Sequence, residues 1–258
     1  MNFLVSALTK NRISLILHFA KMNIVLRYKS TTLGILWSAF EPLLYFTILY
    51  LVFTGIRDTD STFAVSLITG IMFFHLFVRG TAGGLTSLVG NSGYIKSINI
   101  RRDFFPIVST VATGILIFVD VVVLFALMAV FGFIPPWTII FLPIPIILVI
   151  VLILGLSYIL SITNVFIRDT QVIWQVLSHA FLFVSPIFWR VRDVEGILLQ
   201  IHRVNPLGQI IEIAHVLVID GEIPPLNDLV YTTSIVIGIL VLGYFVFHKL
   251  ENRIAEEI

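Results

Sequence analysis

Six long apolar stretches, interrupted by few charges, dominate this chain of 258 residues. A membrane-spanning helix needs about 20 predominantly apolar residues. The chain is 58% hydrophobic and 12% charged, whereas a soluble domain carries about 25% charged residues. The sequence therefore predicts an all-α polytopic membrane protein, a single transmembrane domain over residues 1–258. Its six predicted transmembrane helices are placed at about 33–53, 63–89, 104–132, 137–167, 172–189 and 229–247.

The distribution of lysine and arginine predicts that the N- and C-termini are both cytoplasmic. With the N-terminus inside, eleven of the sixteen basic residues fall in inner segments, as the positive-inside bias requires. The first apolar run begins at Leu33, after five basic residues and with no cleavage site following. We therefore expect no signal peptide. The expected location is the cytoplasmic (inner) membrane, with multiple crossings.

Two segments outside the spans are also apolar in part. Residues 1–30 place polar and apolar residues on separate stripes, which predicts an amphipathic helix lying on the cytoplasmic leaflet. The alternative is a helix that packs on the bundle. Residues 190–228 contain two apolar stretches, Ile197–Ile201 and Pro206–Ile219, that are too short to cross. They predict short re-entrant outer helices with their backbone buried in protein; the alternative is a small extracellular cap.

The sequence offers little support for enzyme chemistry. It contains no Gly-rich phosphate loop, no HExxH or GxSxG motif and no cysteine, so we expect no ATPase site of its own. Its histidines are scattered, and we predict no catalytic residue, no metal site and no cofactor in this chain. A net charge of +1 argues against nucleic-acid binding.

Three ionisable residues lie within predicted spans, namely Glu41, Arg79 and Asp120. A bare charge inside a bilayer costs several kcal/mol, so Arg79 needs a partner or a wet cavity. Both Asp120 and Glu41 are possible partners, and a structural tie and a substrate role stay open. Gly80 and Gly84 also allow close helix packing, for which contact within the chain is favoured over a subunit seam.

Aromatic residues recur along two spans. Tyr45, Phe46 and Tyr50 follow one another in the first, and the fifth has a second such set in Phe181, Phe183 and Trp189. Lipid-facing or core positions are the default for such residues. The alternative is a substrate channel in which sugar rings stack their apolar C–H faces on the aromatic rings.

Four motifs together resemble one family of membrane proteins. They are Arg27-Tyr28-Lys29-Ser30-Thr31-Thr32-Leu33-Gly34-Ile35-Leu36-Trp37 with Pro42, Asn164-Val165-Phe166-Ile167-Arg168-Asp169, Ser185-Pro186-Ile187 and Asn205-Pro206. In order and spacing the chain resembles permease subunits of ATP-binding-cassette exporters for O-antigen, capsule or teichoic acid. Glu41 and Arg79 depart from the mostly apolar spans expected of that family.

The resemblance implies a homodimer that forms a channel for a polyprenyl-pyrophosphate-linked polysaccharide. Two partner ATPase subunits would bind ATP and Mg²⁺. A coupling helix would include Ser92, Tyr94, Ile95 and Lys96, and residues 190–228 would form an outer gate. Basic residues near an anionic surface contribute about 1 kcal/mol each, so the lipid headgroup is expected to meet Arg27, Lys29, Arg101 and Arg102.

Other interpretations stay open at this point. The four cations are also explained by ordinary positive-inside topology. A permease of the same superfamily for drugs or lipids would share the topology. A membrane enzyme or assembly factor of glycolipid synthesis would need a polar catalytic cluster at one membrane face, and the sequence shows none.

Overall fold

The computed structural model describes residues 12–56, 60–97 and 100–253. All regular structure in these ranges is helical, with no strand, which confirms the predicted all-α class. The α-helices are α1 (Arg12–Tyr28), α2 (Trp37–Thr54), α3 (Ser61–Thr86), α4 (Ser92–Ser97), α5 (Phe104–Val130), α6 (Pro143–Phe166), α7 (Thr170–Val184), α8 (Ile197–Val204), α9 (Pro206–His215) and α10 (Leu226–Leu250).

Five of these helices, two of them extended by a preceding 3₁₀ turn, are long and apolar enough to cross a membrane. They are Gly34–Thr54, Ser61–Thr86, Phe104–Val130, Trp137–Phe166 and Leu226–Leu250. They match predicted spans one, two, three, four and six to within a few residues, and the polytopic architecture is confirmed.

The predicted fifth span is shorter than expected. Helix α7 has 15 residues and a length of about 22 Å, less than the roughly 30 Å hydrocarbon core. It ends at Ser185, whose backbone is extended, because a residue before proline disfavours the helical conformation. The count of six crossings therefore stays a prediction.

Helix α3 is the centre of the bundle, with most of its side chains buried. It packs against α2, α5, α6, α7 and α9. Gly80 and Gly84 face α6, where an added Cβ would overlap Ile153 and Ser157 respectively. The close approach that these glycines predicted is therefore a contact within the chain.

Helix α1 lies against α5. Ala20 and Ile24 are buried, whereas Ile13, Leu17 and Leu26 are exposed. The helix thus packs on the bundle, as the alternative interpretation expected, and still presents apolar side chains of the kind that a helix at the membrane surface buries in lipid. Two residues of its predicted polar stripe, Lys10 and Asn11, lie outside the described residues.

Helices α8 and α9 form a short hairpin from the two apolar stretches of residues 190–228. Nearly all of α9 is buried, covered by α3, α6 and α10. The Asn205 side chain donates a hydrogen bond to Ser185 Oγ at 3.0 Å and so joins the start of α9 to the end of α7. Protein therefore covers this helix, as a re-entrant element requires.

Candidate substrate cavity

A cavity of about 670 Å³ opens between α1, α2, α3 and α7. Its lining follows α3 from Phe74 to Thr86, a rise of about 18 Å. In the predicted orientation Thr86 is at the cytoplasmic end of α3. The cavity therefore extends from that end to about the middle of the hydrocarbon core.

Arg27 and Tyr28 at the end of α1 form the inner edge of this cavity. Arg27 lies beside Gly83, where an added Cβ would be 3.2 Å from Arg27 Nη2. Lys29 follows as an exposed residue and does not belong to the lining.

The other two cations expected at the lipid headgroup lie elsewhere. Arg101 Nη2 donates to Asp103 at 2.8 Å and is 3.3 Å from His248 Nε2. Arg102 donates to the main-chain carbonyl of Glu251. The structure therefore places Arg101 and Arg102 at the junction of α5 and α10, and only Arg27 of the four lines the cavity.

The ionisable residues of the spans form two pairs at the deep end of the cavity. Arg79 Nη2 donates to Asp120 Oδ2 at 2.6 Å, and both side chains are buried. Glu41 Oε1 is 3.7 Å from His75 Nδ1, and the Glu41 side chain is 52% exposed. Of the two partners that the sequence left open for Arg79, the structure shows Asp120, because α5 brings Asp120 against Arg79 whereas α2 places Glu41 beside His75.

Arg79 keeps hydrogen-bonding capacity beyond its ion pair. Its Nε and Nη1 atoms are buried without a hydrogen-bond partner, as are Asp120 Oδ1 and His75 Nε2. Unsatisfied buried donors cost about 1–3 kcal/mol each. Arg79 and His75 both line the cavity, so these unpaired atoms are buried beneath its surface.

The predicted aromatic set of α2 is divided between the cavity and the core. Tyr45 lines the cavity and its ring meets His75 with 4.5 Å between centroids. Phe46 is 5% exposed and stacks on Tyr50 at 5.4 Å. Phe46 is therefore a core residue in this structure, and Tyr50 continues the aromatic series towards the outer face.

The second predicted set is more widely spread. Phe181 packs against Phe77 at 5.5 Å, and Phe183 is 65% exposed on the bundle surface. Trp189 lines a different cavity at the outer end of α3. The structure therefore does not bring these three residues together with Tyr45.

The expected coupling segment forms α4. Tyr94 and Lys96 are exposed and Ile95 is half-buried, as is Ser92. The Tyr94 ring meets Phe19 of α1 with 6.1 Å between centroids. Helix α4 is thus in contact with α1, the helix that ends at the inner edge of the cavity.

His75 is one of the cavity residues that sequence reasoning missed, since the scattered histidines were given no role in a site. The signal was its spacing, because His75 and Arg79 are four residues apart and share one helix face. Among the residues that the structure describes, no three His, Asp or Glu side chains converge to hold a metal ion.

Comparison with known proteins identifies relatives over most of the chain. The ABC-2 type transporter family matches residues 14–218, a range that includes the whole cavity lining. Two O-antigen export system permease proteins RfbA from Klebsiella pneumoniae are 28% and 27% identical over 234 residues, covering 89% of each chain. A third, from Myxococcus xanthus, is 21% identical over 248 residues, covering 95% of each chain.

Proposed function

Because the chain belongs to the ABC-2 type transporter family, we propose that it forms the channel of an ATP-driven exporter of polyprenyl-pyrophosphate-linked polysaccharide. Membership makes the chain a multi-pass membrane subunit of an ABC-2 type transporter. The relatives named as O-antigen export permeases support a glycan as the cargo. The proposal includes the cytoplasmic membrane, a homodimer and two partner ATPase subunits that bind ATP and Mg²⁺.

The cavity between α1, α2, α3 and α7 is the observation that carries this proposal. Its lining includes Arg27 and follows α3 from Phe74 to Thr86, a rise of about 18 Å compared with a hydrocarbon core of roughly 30 Å. A lipid-linked glycan has an anionic pyrophosphate at the leaflet surface and a hydroxyl-rich chain beyond it. Arg27 and Lys29 attract the pyrophosphate at about 1 kcal/mol per cation, and Tyr45, His75 and Arg79 offer a ring face and donors to the glycan. Arg101 and Arg102 contribute to the same anionic attraction from the α5–α10 junction.

Weak and repeated contacts suit a polymer that has to move. A site that bound each sugar tightly would stall transport, as in any conducting pore. The aromatic rings of α2 therefore act as successive stacking surfaces once the outer end opens. Tyr45 meets the chain first, and Tyr50 lies one to two turns further out.

Energy for opening comes from the partner ATPase through α4. Contact between Tyr94 and Phe19 links α4 to α1, so a movement of α4 is passed to the helix that carries Arg27. The ATPase binds one position of α4 more tightly than the other. This difference in affinity shifts the equilibrium between the closed and open states of the channel.

A permease for drugs or simple lipids is the alternative, favoured by apolar lining residues such as Val78 and Leu182. Deleting the chain separates the two cases. For a glycan exporter, lipid-linked polysaccharide accumulates in the cytoplasmic leaflet and disappears from the cell surface. Unchanged surface glycan with altered drug or lipid efflux would favour the alternative.

The partner ATPase is tested by purifying the chain from its native membrane in mild detergent, followed by mass spectrometry. We expect a stoichiometric ATP-binding-cassette ATPase. Recovery of the chain alone, or with enzymes of glycan synthesis, would overturn the exporter proposal and favour an assembly role.

A further inference from the structure

A second cavity, of about 320 Å³, lies at the opposite end of α3. It is lined by Ser66, whereas the first cavity begins at Phe74; eight residues of helix separate them by about 12 Å. Tyr50 stacks on Phe46 with 5.4 Å between centroids and, at 6.5 Å, on Phe63 of the outer cavity. The second cavity is therefore separate from the first and faces the outer side in the predicted orientation.

One wall of this outer cavity is aromatic. Phe63 and Trp189 both line it. The Trp189 indole N–H donates to the carbonyl of Phe183 at 3.4 Å, and its ring makes a T-shaped contact with the His202 ring at 6.1 Å. These two contacts fix the position of the indole in the wall of the cavity.

The other walls carry charged and polar groups. Asp60 and Asp193 line the cavity together with Arg192 and Thr62. Asp60 Oδ1 accepts the Phe63 N–H at 2.9 Å, which fixes this carboxylate at the start of α3. The Asp193 and Arg192 side chains are both 65% exposed, with 3.9 Å between their charged atoms.

Arg190 forms the rigid base of the cavity. It lines the space, yet its side chain is only 10% exposed because Nη2 pairs with Asp220 Oδ2 at 2.5 Å. Its Nε atom is buried without a hydrogen-bond partner. The base therefore retains one donor beyond the ion pair that orients it.

An aromatic face opposite carboxylates and a guanidinium matches the chemistry of a pyranose ring. Such a ring has an apolar C–H face, and each of its hydroxyls both donates and accepts. Carboxylates accept hydrogen bonds from these hydroxyls, and Arg192 donates hydrogen bonds to the hydroxyl oxygens. The volume lies at the small end of the range for ligand cavities, so it suits a single sugar unit rather than a long chain.

We propose that this outer cavity is a carbohydrate subsite that holds one pyranose unit of the departing glycan. The ring lies on Trp189, and its hydroxyls meet Asp60, Asp193 and Arg192. The place of this subsite in export rests on the proposed function, whereas its affinity for sugar does not.

The test uses fluorine NMR of the purified protein, with any subunits that accompany it, labelled with 5-fluorotryptophan. The chain has four tryptophans, and the Trp189 signal is assigned by its loss in W189F. The probes are methyl glycosides of glucose, galactose and mannose. Sorbitol is the control, because this open-chain polyol has hydroxyls but no ring face.

We expect at least one methyl glycoside to shift the Trp189 signal saturably and to leave the Trp137 signal in place. Losing charged hydrogen bonds weakens binding about tenfold. We therefore expect the double variant D60N/D193N to bind the glycoside about tenfold more weakly. Asn caps a helix as well as Asp does, so D60N keeps the start of α3. The matched control is D228N, which removes an exposed acid outside the cavity lining.

Three results would overturn the inference: no shift with any glycoside, an equal shift with sorbitol, or equal affinity in D60N/D193N. The deletion strain separates this inference from the proposed function. If export stops without the chain and Trp189 does not respond, the exporter stands and the subsite falls. If surface glycan persists and Trp189 still responds, the sugar site stands and the exporter falls.

Discussion

The Arg79–Asp120 pair shows how this bundle holds a charge inside the membrane. Arg79 is 9% and Asp120 0% exposed in the side chain, so neither charge is solvated and each depends on the other. Removing one partner of a buried pair is costlier than replacing both, since it leaves an uncompensated charge. The pair therefore acts as a tie between α3 and α5 at the deep end of the cavity.

Asp120→Asn is expected to destabilise the protein by about 3–5 kcal/mol, because it leaves the Arg79 guanidinium buried without a counter-charge. The double variant R79M/D120L is expected to recover most of this loss. Thermal unfolding of the purified protein in detergent measures both. The control is R101Q at the more exposed Arg101–Asp103 pair, which is expected to cost at most about 1 kcal/mol.

Charge reversal distinguishes the two carboxylates that the sequence offered to Arg79. R79E places a third carboxylate near Asp120 and Glu41 and is expected to abolish folding or insertion. E41R is expected not to rescue it, because Glu41 lies beside His75 rather than Arg79. Restored yield of monodisperse protein in E41R/R79E would contradict the observed pairing.

The sequence predicted that Arg79 needs a partner but not which one. The need for a partner follows from the free-energy cost of a charge in hydrocarbon. This cost is evident from the position of Arg79 in the sequence alone. The choice between Glu41 and Asp120 depends on the rotation of α2 and α5 about their own axes relative to α3. That rotation depends on packing along whole helices. The periodicity within one helix therefore does not predict it.

At the scale of elements, ion pairs fix α9 to the chain that follows α7. Arg190 pairs with Asp220 at 2.5 Å and lies 3.8 Å from Glu212, while His215 Nε2 is 3.0 Å from the Ser66 carbonyl of α3. Burial raises the pKa of Glu212, but His215 at 3.8 Å and the nearby charge of Arg190 outweigh it and hold that pKa below its ordinary value. Glu212 is therefore ionised at neutral pH and available to Arg190.

Arg190→Gln is expected to loosen α9, because Glu212 and Asp220 then lose their shared cation. The chain has no cysteine, so a cysteine at the fully buried Val218 reports opening through its rate of maleimide labelling. We expect V218C/R190Q to label at least about tenfold faster than V218C, given the cost of breaking a buried pair.

Arg192→Gln is the matched control for the loosening of α9. Arg192 is 65% exposed and its nearest contact with Asp220 is 3.5 Å, so V218C/R192Q is expected to label at the rate of V218C. Equal labelling of the R190Q and R192Q backgrounds would show that α9 is held by apolar packing alone.

The sequence predicted the bounds of the long spans more accurately than those of α7. Long spans are predicted well because about 20 apolar residues leave a chain few alternatives to a membrane helix. Helix α7 was predicted too long because hydropathy continues through Phe188 and Trp189, whereas the helix ends at Ser185 before Pro186. The end of α7 is set by the backbone conformation that a residue before proline prefers, not by a loss of apolar residues.

At the scale of the whole molecule, two cavities lie at opposite ends of α3 with aromatic rings between them. Phe46 and Tyr50 form that intervening pair, and Phe131 packs against them at 5.9 and 5.2 Å. From the sequence, lipid-facing or core positions were the default for the aromatic residues along α2 and a channel surface was the alternative. The sequence did not reveal that Phe46 is covered, because Phe131 comes from the distant end of α5. Separation of these rings is the opening that the proposed transport requires.

The inner cavity, if it is the path of the glycan, is expected to be blocked by a single bulky adduct. Ala82 is exposed and lines the cavity, and A82C is the only thiol in its variant because the native chain has no cysteine. Treatment with a bulky membrane-permeant maleimide should leave folding intact and reduce surface glycan to the level of the deletion strain. I134C is the control, since Ile134 is 86% exposed outside the cavity lining, and its labelling should leave export unchanged. Full export by quantitatively labelled A82C would show that the glycan takes another route.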